Sequence, residues 1–286
     1  MSNDERRKGT IFVLLAAGFF SLSTPLAKPL VGTTSPQLLA GLFYFGSGVG
    51  AILLGVLTPK TMNYNENSLR KSDVPWISAA VISGGILGPF LVLNGLRSTP
   101  ASDASLLLNF EAVFTILVAW MVFREQLDQK FAFGAFAILM GSVLITWNGF
   151  ETVSNFRGVL AIVGGCLCWG FSNNFVRKIS ARNPFQVASV VGMAAGIVNI
   201  LLSFLFPCAW TLELILAGLA IGVFCYGFSN VFWVLGLRYL GGARAGAYFS
   251  SAPFIGALFS ILLLHEAATI FLVAAAVAMG LGALLL

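Results

Sequence analysis

The chain has 286 residues, 58% of them hydrophobic and 9% charged, with a mean hydropathy of +0.92 and a formal net charge of +5. Soluble domains carry roughly a quarter charged residues, so this composition calls for lipid as solvent and excludes a water-facing globule. The basic excess reads as orientation in a bilayer and not as a nucleic-acid footprint, because membrane proteins gather Lys and Arg in their cytoplasmic loops.

Arg6-Arg7-Lys8 ahead of an apolar run from Ile11 resembles a secretory signal, but nine similar runs follow, so it is taken as an uncleaved first span. A span takes about 20 predominantly apolar residues, and ten segments qualify. They run from Ile11 to Ala27, Pro36 to Leu57, Val74 to Leu96, Ala101 to Phe123, Phe131 to Trp147, Gly158 to Ile179, Pro184 to Phe206, Thr211 to Leu237, Ala243 to Leu264 and Thr269 to Leu286. Only the connection from Thr58 to Asp73, with its Asn63-Tyr64-Asn65-Glu66-Asn67 cluster, has the length and polarity of a true extramembrane loop.

Basic residues test the count of spans. With the N-terminus inside, one face collects Arg6, Arg7, Lys8, Lys60, Arg70, Lys71, Arg124, Lys130, Arg177, Lys178, Arg182, Arg238 and Arg244, and the other collects Lys28, Arg97 and Arg157. That split of 13 to 3 predicts ten spans with both termini cytoplasmic. Trp76, Trp147 and Trp210 fall near segment ends, at headgroup level, whereas Trp169 falls mid-span. Cys166 and Cys168 are two apart on a predicted helix and point in different directions, which disfavours a shared metal. With Cys208 and Cys225 they read as small buried hydrophobes, and no cofactor is expected.

The chain also resembles itself. A shift of 141 residues lays Gly95-Leu96-Arg97 on Gly236-Leu237-Arg238, Ala104 on Ala245, Glu125 on Glu266 and Gly141 on Gly282. Near a shift of 149, Gly9 falls on Gly158, Phe20 on Trp169, Ser23 on Ser172 and Lys28 on Arg177. Two units, 1–149 and 150–286, of five spans each are expected, and an odd number of spans inverts the second copy. The fold class expected is an all-α membrane protein of ten transmembrane helices in two inverted five-helix repeats. Such repeats are how many secondary transporters obtain two near-equivalent packings around one midplane site.

Leu106-Leu107-Leu108-Asn109-Phe110-Glu111-Ala112-Val113-Phe114, running to Phe123-Arg124-Glu125, and Ala252-Pro253-Phe254-Ile255, running to His265-Glu266, resemble the fourth and ninth spans of the EamA branch of the drug/metabolite transporter superfamily. Cys168-Trp169-Gly170-Phe171-Ser172-Asn173 is similar to that family's first-span or sixth-span pattern, while Phe20-Ser21 stands where the family has Trp-Gly in span one. The resemblance implies a central cavity lined by spans one, three, four, six, eight and nine, and export of amino acids or related metabolites across the inner membrane.

Glu111 is the only charged residue near the centre of a predicted span. A carboxylate there costs several kcal/mol unless protonated, paired or hydrated, so it reads either as a proton-exchanging or cation-holding group or as a protonated acid bonded to a neighbouring helix. Tyr226, Ser229, Asn230 and Trp233 follow i, i+3, i+4, i+7 spacing and predict one polar-aromatic stripe; Trp169 and Asn173 form an i, i+4 pair. Tyr248, Ser251 and Asn109 complete the candidate cavity residues, with interhelical packing as the alternative for each. Pro25, Pro89 and Pro253 predict kinks, and Gly46/Gly50, Gly192/Gly196 and Gly218/Gly222 predict close helix approach. His265 reads as an interfacial or capping residue. No GxxxxGK[ST], HExxH or GxSxG occurs, so an ATP-driven pump, a zincin or a serine hydrolase has no support. A secondary exporter, either proton-exchanging or merely facilitative, is the expectation, with a small-molecule substrate and the lipid bilayer as partners and protons in the coupled case; an importer of the same fold and a non-transport lipid-handling or assembly component stay open.

Overall fold

A computed structural model describes residues 3–58, 67–124, 129–147, 153–179, 182–240 and 248–285. In hydrocarbon every backbone N–H and C=O must be satisfied within the protein, which leaves a chain of this composition the helical bundle. Seven helices among the described residues are long and apolar enough to cross a membrane, and three shorter apolar helices, Ala132–Leu144, Ala252–Leu264 and Ile270–Leu285, accompany them. No strand forms among the described residues; one isolated bridge joins Asn67 to Arg182.

The first rod is α1 (Asn3–Ser21) continued by the short α2 (Ser23–Ala27), then α3 (Pro36–Leu57). A 3-10 turn (Lys71–Asp73) leads into α4 (Val74–Ala80), a π-helical turn (Val81–Leu87) and α5 (Gly88–Ser98) as one rod. Next come α6 (Ala101–Leu107) with α7 (Phe110–Phe123), α8 (Gln129–Trp147), α9 (Val153–Lys178) and α10 (Pro184–Ser203). The chain ends with α11 (Leu212–Ile221), a second π-helical turn (Gly222–Phe228) and α12 (Ser229–Leu240), then α13 (Ala252–Leu264) and α14 (Ile270–Leu285). The Asn63 cluster, Glu125 and Ala243–Ala245, on which parts of the sequence reading rest, lie outside the described residues.

Local chemistry sets the helix starts. The Ser35 side chain accepts from the Leu38 N–H ahead of Pro36, and Asn183 accepts from the Gln186 N–H ahead of Pro184, each a cap followed by a proline that lacks the N–H a first turn cannot use. Pro89 and Pro253 likewise stand in the first turns of α5 and α13, where a rod resumes after a break. Trp76 and Trp210 are exposed and lean on Phe175 and Phe204.

α3 is wedged between α10 and the second π turn, and glycines make that possible. A Cβ on Gly46 would meet the Leu219 carbonyl at 2.5 Å and one on Gly192 the Gly48 nitrogen at 2.6 Å, while Gly222 and Gly196 abut the Phe43 carbonyl and the Phe45 nitrogen. Elsewhere α1 packs along α12, α5 along α9, and α8 along α14. Two landmarks recur 141 residues apart: the π turns beginning at Val81 and Gly222, and the left-handed residues Arg124 and His265, both at φ 54°, which end α7 and α13.

Charged side chains hold the ends of the bundle. At one end Arg182 grips Asp73 through Nε (2.8 Å) and Nη2 (3.2 Å), tying the start of the α4 rod to the start of α10. At the other, Arg97 donates to the carbonyls of Val31 and Thr34 at 2.9 and 2.7 Å.

Gly222→Val places a branched side chain against the Phe43 carbonyl. Overpacking of this kind costs about 1–3 kcal/mol, so the variant should melt several degrees below wild type in detergent; an unchanged melting temperature would refute the close approach of α3 and the π turn.

Candidate functional site

The site begins with what a π turn does to a helix. Its i→i+5 hydrogen bonds widen one turn, and Pro89, four and five residues past Gly85 and Gly84, has no N–H to return to their carbonyls, so in hydrocarbon those carbonyls need donors from neighbouring helices. At the first π turn the Gly84 carbonyl accepts from Trp169 Nε1 at 3.0 Å and from the Tyr44 hydroxyl at 2.5 Å. The Gly85 carbonyl accepts from Asn199 Nδ2 at 2.7 Å, and Asn199 Oδ1 in turn accepts from Gln37 Nε2 at 2.5 Å. Just before the turn the Ala80 carbonyl accepts from Ser172 Oγ at 3.3 Å. Side chains of α3, α9 and α10 thus converge on one widened turn. Glycine is required there, since a Cβ on Gly84 would strike Ser172 and one on Gly88 would meet Trp169 Nε1 at 2.7 Å.

An aromatic wall extends from this point. Tyr226, in the second π turn, stacks on Phe43 with ring centroids 5.8 Å apart, leans on Tyr44 at 5.9 Å and meets Phe20 edge-on at 5.9 Å. Phe20 also touches Trp169 and Phe249, and Phe249 packs on Trp233 at 4.8 Å. Rings from both ends of the sequence therefore form one continuous surface.

Beside that surface is the carboxylate. Glu111 lies in the first turn of α7, directly after the break at Leu108-Asn109 that separates it from α6, and its Oε1 accepts from Asn173 Nδ2 at 2.9 Å. The same amide reaches Thr115 Oγ1 at 3.2 Å, and Asn174 Nδ2 donates to the Thr115 carbonyl at 2.9 Å, locking α7 against α9. Glu111 is half-buried, and its partner Asn173 stands one turn along α9 from Trp169 of the aromatic wall.

The structure brings Glu111, Asn173, Trp169 and Tyr226 together. Asn109 is buried, but its amide donates to the Leu106 carbonyl in its own turn (2.8 Å), closing the break between α6 and α7. Ser251 likewise donates to the Tyr248 carbonyl at 2.7 Å, and Tyr248 packs with Trp233 and Phe249 around Val13 and Leu240. Ser229 is buried and donates to the Ala16 carbonyl of α1 at 2.9 Å, while Asn230 is exposed. Ser229 thus serves α1 and Asn230 is exposed, while Tyr226 faces Phe20 and Phe43. Tyr44, Thr115, Gln37, Asn199 and Phe249 carry no periodic signal that sequence reading could use. The Gly84-Gly85 pair was the one visible trace of the widened turn.

Among the described residues no group of three His, Cys, Asp or Glu side chains could hold a metal ion. A second set of charges lies at the bundle end, where Lys28, just past α2, donates through Nζ to the carbonyls of Leu96 (2.6 Å) and Thr99 (2.5 Å). Burial holds the Lys28 ammonium below its ordinary value, opposed by the charges of Glu266 and Asp103.

The family model described as the EamA-like transporter family matches residues 7–147 and again residues 156–286. The chain belongs to the EamA-like transporter family. It is therefore a membrane transporter of the drug/metabolite transporter superfamily. Similar proteins include an uncharacterized transporter of Methanothermobacter thermautotrophicus, 26% identical over 90% of this chain and 80% of that one. The uncharacterized transporter YyaM of Bacillus subtilis is 25% identical over 87% of this chain and 84% of its own length. The riboflavin transporter ImpX of Fusobacterium nucleatum is 23% identical over 51% of this chain and 48% of its own. A crystal structure of a protein 21% identical to this one shares the fold, with a TM-score of 0.71 over 98% of this chain and 97% of that chain. In the terms of this EamA-like fold, the double match brackets the Glu111 region in the first segment and Trp169, Asn173 and Tyr226 in the second.

Trp169→Phe keeps the ring and removes the donor to Gly84. The Tyr44→Phe change removes the other donor. Each alone should cost about 1 kcal/mol of stability; together they leave a buried carbonyl unpartnered and should cost more than the sum. Thermal melts of the two single variants and the double variant in detergent measure this, and strict additivity would mean that the two donors do not share one acceptor.

Proposed function

We propose that the protein is a secondary exporter of small metabolites, amino acids or related compounds, working by alternating access across the inner membrane with proton exchange. Two units of opposite orientation, 1–149 and 150–286, form ten spans with both termini in the cytoplasm. In support, the π turns and the left-handed helix ends recur at one spacing of 141 residues, and the family model matches twice. Helix contacts are reciprocal in the same sense, since α1 meets α12 as α9 meets α5. Exchange of the two packings opens the central surface to one face and then the other.

The observation that carries this reading is Glu111, an acid in the bundle interior held by the side-chain amide of Asn173, beside a wall of aromatic rings. An acid so placed can take a proton from one aqueous phase and release it to the other. Aromatic walls with a few amides and hydroxyls suit a neutral or zwitterionic solute. A second reading, a carrier of riboflavin or a like compound, draws on ImpX, whose name assigns it riboflavin.

Counterflow into proteoliposomes, with labelled amino acids, nucleosides and riboflavin as the panel, tests both. Saturable counterflow of an amino acid or related metabolite is expected, riboflavin alone would favour the second reading, and none for any solute would remove the carrier assignment. With the substrate in hand, Glu111→Gln should abolish the response of transport to an imposed pH gradient; a retained response would exclude Glu111 as the coupling group. Tags inserted beside Lys71 and Arg124 should both be reached from the cytoplasmic side, and opposite sides would overturn the ten-span arrangement.

A further inference from the structure

The break between α5 and α6 is a hairpin whose two helix ends carry opposite partial charges. A helix C-terminus presents free carbonyls and an N-terminus free amides, which attract a cation and an anion respectively. Lys28 meets the first need, through the Leu96 and Thr99 carbonyls. Glu266 meets the second, with Oε1 accepting from the Ala101 N–H at 2.7 Å and Oε2 from the Ser102 N–H at 2.8 Å.

These contacts differ in what they join. Lys28 and Arg97 exchange bonds between the α2 region and the α5 end, all within the first half of the chain. Glu266 follows α13 and is 165 residues from Ala101, so its two bonds tie the second half to the first. Directly beneath, α6 packs on α13, with Ser105 against Gly256. The Ser105 and Thr99 hydroxyls are buried and have no hydrogen-bond partner. Such groups are costly, and the Ser105 hydroxyl, which faces Gly256 of α13, would be relieved by water if α6 and α13 parted.

We propose that Glu266 is the latch of a gate at this end of the bundle, its carboxylate holding the α6 N-terminus closed over the chamber and leaving it when the chamber opens to that face. This deepens the alternating-access reading and rests on it. By the charge distribution, the gate faces away from the cytoplasm.

The test uses the full chain with its four cysteines replaced by alanine and Ser105→Cys as reporter, reconstituted in vesicles and exposed to an impermeant maleimide from one side at a time. Removing the charge with Glu266→Gln weakens charge-assisted bonds, and the outer-side labelling rate should rise about tenfold, the effect of losing one such bond. Inner-side labelling should not change. Arg97→Ala, which removes two bonds at the same end within one half, should lower the melting temperature without raising outer-side labelling. Equal rises from both sides, a rise from the inner side alone, no rise, or a matching rise with Arg97→Ala would each overturn the latch. Labelling needs no substrate, so a latch that fails here is distinguishable from a carrier assignment that fails in counterflow.

Discussion

The structure turns on one constraint, that a carbonyl released from a helix inside the bundle must find a donor there. Water cannot supply it, and an unpartnered buried polar group costs roughly 1–3 kcal/mol. The first π turn and Pro89 release carbonyls at Gly84 and Gly85, and α3, α9 and α10 answer with Tyr44, Trp169 and Asn199. Those three donors fix how their helices approach, and the aromatic wall follows from that approach. Tyr44 and Trp169 are therefore at once fasteners of the bundle and faces of the proposed chamber.

The same logic holds at the bundle ends, with charges in place of neutral donors. Lys28, Arg97 and Glu266 serve helix ends that have run out of internal partners, and Asp73 with Arg182 joins two segments at the opposite end. Few charges are present, and those named at the bundle ends bind backbone or each other across long stretches of sequence. That distribution explains how a chain with 9% charged residues keeps a defined arrangement at both ends.

Much of the fold was legible because lipid imposes a simple rule. Apolar runs gave α3 its observed limits, Pro36 and Leu57, since Ser35-Pro36 caps the start and Thr58 leads into the polar connection. Breaks inside rods were harder to see. Pro25, Pro89 and Pro253 pointed to irregularity, yet nothing in the periodicity distinguishes a kink from a restart after a π turn or a gap such as Leu108-Asn109. In the candidate site, Glu111 announced itself by charge, and Asn173 by its spacing from Trp169. Asn230 and Ser229 were grouped with Tyr226 by a regular helical period, yet Ser229 serves α1 and Asn230 is exposed. Tyr44 and Asn199 act through distances across the bundle, 40 and 114 residues from their acceptors, which no local pattern encodes.

Trp169 donates through its indole to Gly84, but the residue aligned with it 149 positions earlier is Phe20, whose side chain has no N–H to offer. If the halves exchange roles during the transport cycle, one packing includes a hydrogen bond that its mirror image cannot form. A neutral bond of this kind is worth about 1 kcal/mol, which biases a two-state population roughly fivefold. The empty carrier would then rest preferentially toward one compartment, its idle posture set by a single indole nitrogen while net flux still follows the gradients.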